Sequence, residues 1–152
     1  MSHPPGIFIP KPSDYPQIVE VWEASVHATH DFLPDAYIEI LRHLLLTQYL
    51  DAVSLFCIRG PDNKISGFAG ASLGKLEMLF LRPEYRGQGL GKQLLNYALE
   101  HFDARELDVN EQNTQALGFY LKQGFKVISR TEEDGLGQPY PILRLRLDDD
   151  SD

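Results

Sequence analysis

An apolar run followed by a glycine-rich turn constrains the fold of this chain more than any other stretch. Residues 76–81, Leu-Glu-Met-Leu-Phe-Leu, are too few for a core helix, and their apolar character is typical of a strand covered on both faces. Pro83 lacks an amide hydrogen and restricts Arg82, so we predict that the strand ends there. A helix with one buried stripe is then predicted up to about His101 from the spacing of Leu90, Leu94, Leu95, Ala98 and Leu99.

The turn between this strand and helix has glycine at every second position, Gly87, Gly89 and Gly91. Such a turn lets a ligand approach the backbone closely, and the unpaired amides at a helix N-terminus favour an anion such as phosphate. Arg86 and Lys92 flank the turn and would add charged contacts. The turn is therefore either an anion site or a turn whose glycines only permit tight packing.

Two phosphate-binding motifs fail to match the turn. The Walker sequence requires Ser or Thr after Gly-Lys, whereas Gln93 follows Lys92 and supplies no hydroxyl for magnesium. The dinucleotide fingerprint G-x-G-x-x-G requires glycine where Lys92 stands. The remaining pattern, Arg86-Gly-Gln-Gly-Leu-Gly91 after a strand, resembles the coenzyme A pyrophosphate loop of the GNAT family of N-acetyltransferases.

Length and charge narrow the class of protein. The 152 residues suffice for one domain whose core needs neither metal nor disulfide. A net charge of −8 argues against broad nucleic-acid binding and mildly favours a cationic partner such as an amine. The single cysteine, Cys57, lies in an apolar run, so we expect a packed, unreactive thiol and a reducing compartment.

The two ends of the chain carry no pattern typical of a folded element. The first six residues lack a basic region followed by an apolar core, and no run reaches membrane-spanning length, so we expect a cytoplasmic protein that does not enter the membrane. Residues 1–147 are predicted to form the domain. Residues 148–152, Asp-Asp-Asp-Ser-Asp, are predicted to be a disordered acidic tail.

Periodicity and turn residues predict the element order βααβββαβαββ. The apolar face of the second helix is predicted from Tyr37, Ile40, Leu41, Leu44 and Leu45. Strands are predicted at 7–9, 53–59, 65–73, 76–81, 105–109, 125–130 and 141–147. This order indicates an α/β (α+β) fold, a single three-layer domain with a mixed, mostly antiparallel sheet of about seven strands and helices on both faces. The same order is found in GNAT proteins, so the resemblance covers nearly the whole chain.

A second stretch, Asn113 to Phe125, is similar to the family pattern N…A…Y-x-K-x-G-F. Asn113 lies seven residues before Tyr120, which is two helical turns, so both side chains share a helix face. From the helix alone, a tyrosine beside Phe119 is more often a core residue than a catalyst. In the family the asparagine touches the coenzyme and the tyrosine stands near the thioester sulfur. The resemblance thus implies that Tyr120 protonates the leaving thiolate.

The resemblance also implies acetyl-CoA as co-substrate, without a metal, and a fourth strand that holds pantetheine like an added strand. The coenzyme-binding residues that it implies are Leu79, Phe80, Leu81, Arg86, Gly87, Gln88, Gly89, Leu90, Gly91, Lys92, Asn113 and Tyr120.

Acetyl transfer also needs a base, because an alkylamine with a pKa near about 10.4 is mostly protonated at neutral pH. By simple alternation Glu77 shares a strand face with Leu79 and Leu81, and a carboxylate there is costly unless it meets water, a partner or a cleft. Glu77 is our predicted base, against the alternative of a solvated carboxylate at the sheet edge. Asp108 and a water chain are the other candidates.

His27, His30 and Asp31 cluster where the first helix ends. No third ligand at a convincing spacing accompanies the two histidines, so we predict no metal site. By resemblance this segment lines the acceptor pocket, which makes His27, His30, Asp31 and Phe32 candidate substrate contacts. An ordinary polar helix end is the alternative. The sequence does not distinguish among peptide N-termini, lysines, polyamines, amino acids and antibiotics as the amine acceptor.

Three functions are compatible with these patterns. The first is an N-acetyltransferase that moves an acetyl group from acetyl-CoA to a primary amine by direct attack in a ternary complex. The second is a non-catalytic module that binds coenzyme A or acyl-CoA. The third, a nucleotide-binding protein, is weakened by the missing Walker hydroxyl. Dimerisation is common in the family, although nothing in the sequence requires it.

Overall fold

The computed structural model of the chain describes residues 6–148. The strands are β1 (Ile7–Phe8), β2 (Ser54–Arg59), β3 (Ile65–Ser72), β4 (Lys75–Leu81), β5 (Glu106–Asn110), β6 (Lys126–Thr131) and β7 (Ile142–Arg146). The α-helices are α1 (Tyr15–Thr29), α2 (Asp35–Leu44), α3 (Leu90–Phe102) and α4 (Thr114–Lys122). Single turns of 3-10 helix lie at Pro12–Asp14 and Pro83–Tyr85, and a π-helical turn, Leu45–Tyr49, continues α2. The element order is the predicted one.

The strands form one mixed sheet in the order β1-β2-β3-β4-β5-β7-β6. β4 and β5 run parallel, whereas the other neighbouring pairs described are antiparallel. Strands β2 to β4 form an antiparallel meander, and α3 is the crossover that a parallel β4–β5 pair requires. The sheet therefore changes from antiparallel to parallel pairing at β4, immediately before the glycine turn.

Helices cover both faces of the sheet, so strand residues are buried on alternate sides. On β2, Phe56 and Ile58 pack into the cluster formed with α3 and α4, while Leu55 and Cys57 pack into the cluster formed with α1 and α2. Cys57 is fully buried, and burial raises the pKa of its thiol to about 12. The two-sided burial accounts for strands that are apolar at both alternating sets of positions.

The predicted apolar face of α2 is right at Tyr37, Leu41 and Leu45, which pack on the core, and wrong at Ile40. Ile38, Leu41 and Leu45 form the side that packs on the core, at the spacing i, i+3, i+7 of a single helix face. Ile40 is two residues from Ile38 and so faces nearly the opposite way, with 53% of its surface exposed.

The predictions for the leader and the tail fall largely on residues 1–5 and 149–152, which lie outside the described residues. Asp148 is described, and its carboxylate lies 3.4 Å from the Lys126 ammonium. Across residues 6–148, none of the helices combines the length and the apolar character needed to cross a membrane.

Candidate functional site

A gap between β4 and β5 is the centre of the candidate site. The two strands pair only at Lys75–Glu106 and Leu76–Leu107, and then they separate. A β-bulge lies at the same point, because Leu76 pairs with Ala71 and Met78 with Gly70, which leaves Glu77 as the extra residue. The bulge thus places Glu77 where the two strands begin to diverge.

The bulge also shifts the alternation of side chains along β4. Leu76 packs in the same cluster as Leu79 and Leu81, whereas Met78 and Phe80 pack on the opposite face. The prediction that Glu77 shares a face with Leu79 and Leu81 is therefore wrong, because simple alternation does not allow for an extra residue.

Backbone amides on β4 face the gap. The amide of Arg82 donates to the Ser66 carbonyl on β3 at 2.8 Å. Because backbone groups in an antiparallel ladder alternate between sides, and the register is regular here, the amides of Leu79 and Leu81 point away from β3. They are directed toward the space that β5 has left, where they can donate to a ligand.

The glycine turn adopts the backbone shape that its glycines allow. Gly87 and Gly89 have φ values of 80° and 84°, which is the left-handed region, and a Cβ at either position would meet nothing within 4 Å. Gly89 is the N-cap of α3, and the first helical bond runs from the Gln93 amide to the Gly89 carbonyl at 3.1 Å. The amides of residues 90–92 therefore precede the helical ladder, as an anion site at a helix N-terminus requires.

A cavity of about 390 Å³, called here the loop cavity, runs from this turn along β4. Arg86 and Lys92 line it at the glycine turn. The Arg86 guanidinium donates to Gln115 Oε1 at 3.1 Å and lies 3.5 Å from Ser25 Oγ, so it spans from α4 to α1. Cationic side chains, unpaired amides and open space beside glycine together fit a long ligand with a pyrophosphate.

Most of the predicted coenzyme-binding residues line the loop cavity. They are Leu79, Phe80, Leu81, Arg86, Gly87, Gly89, Gly91, Lys92, Asn113 and Tyr120. Two others do not, since Gln88 is exposed outside the cavity and Leu90 is buried in the core. Sequence reasoning missed Ser25, Thr29, Gln115 and Phe119, which also line it. The two α1 residues carry no motif, because the fold alone brings α1 next to the turn.

Helix α4 places Asn113 and Tyr120 together, as their spacing predicts. Asn113 is the N-cap, and its side-chain oxygen accepts from the Ala116 amide at 3.2 Å. Tyr120 is buried, with edge-on ring contacts to Phe119 and Phe125. Burial raises the pKa of Tyr120 well above its ordinary value, so the phenol is protonated at neutral pH and can donate a hydrogen bond.

The β4–β5 gap contains a smaller cavity of about 110 Å³, called here the junction. Both Glu77 and Tyr120 line it. Glu77 accepts a hydrogen bond from Ser72 Oγ at 2.6 Å, and its other oxygen lies 3.8 Å from the Lys75 ammonium. The side chain of Glu77 is 31% exposed, so the predicted base is partly solvated and also faces the gap.

A third cavity of about 590 Å³, the outer cavity, lies on the α2 side of the gap and shares Glu77, Asp108 and Asn110 with the junction. Tyr37, Tyr49 and Asp134 also line it, and none of the three was predicted. Tyr37 donates a hydrogen bond to Asp134, and Tyr140 stacks on Tyr37 with ring centroids 5.5 Å apart. These residues come from distant parts of the chain, so no local pattern could have revealed them.

Asp108 is close to Glu77 but differs from it electrostatically. Burial would raise the pKa of Asp108, but hydrogen bonds from Arg144 and Lys75 outweigh it and hold the pKa below its ordinary value. A carboxylate with a lowered pKa is a weaker proton acceptor. Of the two candidate bases, Glu77 is therefore favoured.

The four candidate substrate contacts occupy different environments. His30 lines the junction and is only 8% exposed. Burial, reinforced by the nearby Arg86 charge, lowers its pKa to about 4, so the imidazole is neutral at neutral pH. Phe32 packs between His30 and Tyr140 in the adjoining core. His27 and Asp31 are exposed and lie outside the three cavities.

Histidine, cysteine and carboxylate side chains are the usual protein ligands of metal ions. Among residues 6–148, no three such side chains are placed to share a metal ion.

The chain matches a known protein family and several of its members. Residues 35–137 match the family model described as acetyltransferase (GNAT) domain. The chain is 43% identical to the peptidyl-lysine N-acetyltransferase YjaB of Salmonella typhimurium over 129 residues, which cover 85% of this chain and 88% of that protein. The peptidyl-lysine N-acetyltransferase YjaB of Escherichia coli is 41% identical, with coverage of 85% and 87%.

Solved structures give the same result. The solution structure of apo-form YjaB from Escherichia coli superposes with a TM-score of 0.86 at 38% identity, covering 93% of this chain and 96% of that one. The PaiA N-acetyltransferase from Thermoplasma acidophilum, in complex with coenzyme A, superposes with a TM-score of 0.71 at 25% identity, covering 93% and 98%. The predicted family and fold are confirmed. This chain belongs to the GNAT family and is an N-acetyltransferase.

Proposed function

We propose that this enzyme transfers the acetyl group of acetyl-CoA directly to the side-chain amine of lysine residues in proteins, within a ternary complex. The observation that carries the proposal is that Glu77 and Tyr120 line the same junction, which adjoins the loop cavity on one side and the outer cavity on the other. A proposed base and a proposed acid then line one cavity, in which a thioester and an amine can meet.

The loop cavity is the proposed coenzyme site. The amides at the start of α3, with Arg86 and Lys92, would bind the pyrophosphate, and the glycines leave room for it. The amides of Leu79 and Leu81 would hold the pantetheine and the thioester carbonyl, because they point into the gap. Arg86 donates to Gln115 through one of its five N–H groups, so others are left to bind phosphate.

Glu77 is the proposed base. A lysine enters as an ammonium, and Glu77 removes one proton, directly or through water, so that the neutral amine can attack the thioester carbon. The exposure of Glu77 gives this proton a route to solvent. The amine loses its second proton when the tetrahedral intermediate collapses.

Tyr120 is the proposed acid. The carbon–sulfur bond breaks as the intermediate collapses, and the phenol donates its proton to the leaving thiolate. The second amine proton then restores the phenol through solvent, so two protons leave the ammonium, one ends on the thiol and one enters solvent. The raised pKa of Tyr120 keeps it protonated before this step.

A lysine acceptor is supported by the lining of the outer cavity. Glu77 and Asp134 supply acidic groups, while Tyr37 and Tyr49 supply aromatic walls that suit an alkyl chain ending in a cation. Glu132 and Glu133 line the adjoining surface, which adds negative charge beside the outer cavity. Two relatives above 40% identity are named peptidyl-lysine N-acetyltransferases, which supports the same acceptor.

Two matched peptides test the acceptor. One has a blocked N-terminus and a single internal lysine, and the other has a free N-terminus and arginine in place of that lysine. We expect thiol release and a single added acetyl group, by mass spectrometry, with the lysine peptide. Acetylation of the arginine peptide alone would show that the enzyme uses N-terminal amines instead.

A further inference from the structure

His30 is the histidine that lies at the junction itself. It lines neither the loop cavity nor the outer cavity, but it shares the junction with Glu77 and Tyr120. The imidazole is 8% exposed, and its ring packs against Phe32 with the centroids 5.3 Å apart. The imidazole is buried and held where the proposed coenzyme and amine sites meet, so it is placed to form a hydrogen bond with one of the two substrates.

Hydrogen bonds on α1 determine which imidazole nitrogen carries the proton. The Thr29 hydroxyl donates to the Ser25 carbonyl at 2.8 Å, and the same oxygen lies 2.8 Å from His30 Nδ1. A threonine hydroxyl has one proton to donate. A threonine hydroxyl in a helix commonly donates to the carbonyl four residues earlier, so we assign its proton to Ser25 and the proton of the neutral ring to Nδ1.

The opposite nitrogen is therefore a hydrogen-bond acceptor. Within residues 6–148, nothing donates to His30 Nε2, and this atom is not among the fully enclosed polar atoms that lack a partner. Burial and the Arg86 charge oppose a second proton on the ring, as its low pKa indicates. The imidazole that lines the junction thus carries a lone pair, rather than a positive charge, at Nε2.

We propose that His30 Nε2 accepts a hydrogen bond from the acceptor amine and thereby orients the nitrogen lone pair toward the thioester carbon. This inference rests on the proposed ternary mechanism. A thioester offers no N–H or O–H at its reacting end, whereas the amine keeps two N–H groups after Glu77 has removed one proton. One of these N–H groups donates to His30, which itself neither gains nor loses a proton. His30 is thus assigned to orientation and Glu77 to proton removal.

The tautomer can be measured without any substrate. A long-range ¹⁵N–¹H correlation spectrum of the imidazoles, with the His30 signals identified by their loss in His30→Gln, should show Nδ1 protonated and Nε2 bare at neutral pH. Thr29→Val removes the hydroxyl that fixes the tautomer and should introduce the Nε2-protonated form, whereas Thr29→Ser should not. A proton on Nε2 in the wild-type enzyme would overturn the assignment.

Kinetics test the partner of Nε2. His30→Phe keeps an aromatic ring but removes the acceptor, and we expect kcat/KM for the amine to fall about tenfold, the effect of one hydrogen bond. The Kd of coenzyme A should stay within about twofold. His30→Gln can present its amide oxygen to the junction and should recover part of the loss. Unfolding transitions measured for each variant identify any that fail to fold.

Two kinetic results would contradict the proposal. Unchanged kcat/KM for the amine in folded His30→Phe would remove His30 from the reaction, and a weakened coenzyme A Kd would assign the contact to the coenzyme. The assay uses whichever amine the enzyme accepts, so a failure of lysine as acceptor is distinguishable from a failure of His30.

Discussion

Arg144 donates two hydrogen bonds to Asp108, at 2.9 and 3.2 Å, and this contact distinguishes Asp108 from its neighbour Glu77. Lys75 adds a third contact to Asp108 at 3.1 Å, while it lies 3.8 Å from Glu77. Two carboxylates at the same gap therefore have different surroundings. Asp108 is committed to cationic partners, and Glu77 is the one whose carboxylate is available to an amine.

Asp108→Asn should lower the free energy of unfolding and should have little effect on proton transfer in the reaction. A carboxyl whose pKa is lowered in the folded state stabilises the protein above its unfolded pKa, and the effect is lost as pH falls through the folded value. The variant should lose no more than about 1 kcal/mol of unfolding free energy at neutral pH. The Asp108 side chain is 33% exposed, so water screens its ion pair with Arg144. Urea unfolding at neutral and acidic pH measures this, and a difference that grows toward acidic pH would contradict it.

Tyr120→Phe should reduce kcat while the coenzyme still binds. Phenylalanine keeps the ring contacts with Phe119 and Phe125 but cannot donate to the thiolate, and loss of an acid typically costs about 10² or more in rate. Tyr97→Phe is the matched control, because the Tyr97 ring packs against Phe56 in a tilted arrangement outside the three cavities. Equal turnover in both variants would remove Tyr120 from the acid role.

Gly89→Ala should weaken coenzyme binding. At a φ of 84°, a side chain costs about 1–2 kcal/mol of strain, although the added methyl group meets no other atom of the chain within 4 Å. The methyl group would occupy space proposed for the pyrophosphate. Gly118→Ala is the control, since it adds a methyl in α4 without a positive φ or a contact and should leave stability equal or higher. Calorimetric titration with coenzyme A measures the effect, and equal affinity in the two variants would contradict the loop assignment.

Cys57 should not react with an aromatic disulfide reagent in the native protein. Its thiol is fully buried, and a pKa of about 12 leaves almost no thiolate at neutral pH. The reagent should detect one reactive thiol per chain only after the protein is unfolded in denaturant. A thiol signal during turnover of the native enzyme therefore reports free coenzyme A alone. Fast labelling of the folded protein would show that the β2 region opens readily.

The fold and most of the residues that line the loop cavity were predictable from the sequence, whereas the lining of the outer cavity was not. One short turn contains Gly87, Gly89 and Lys92, and one helix face contains Asn113 and Tyr120. Because each group is close in sequence, local patterns are enough to predict that its members lie together. The bulge at Glu77 depends on β3, which no pattern in β4 reports. The Tyr37–Asp134 contact joins residues 97 positions apart, and it exists only once the fold is complete.

The role of Glu77 is tested most directly by the pH dependence of kcat/KM in Glu77→Gln, measured with the lysine peptide and compared with Asp108→Asn. Because the base must be deprotonated to accept a proton, the wild-type rate should fall on the acid side, and Asp108→Asn should keep that fall. Glu77→Gln should lose the acid limb and run at about 10⁻² of the wild-type rate or less. An acid limb that is unchanged in Glu77→Gln would contradict the account and assign proton removal to water or to Asp108.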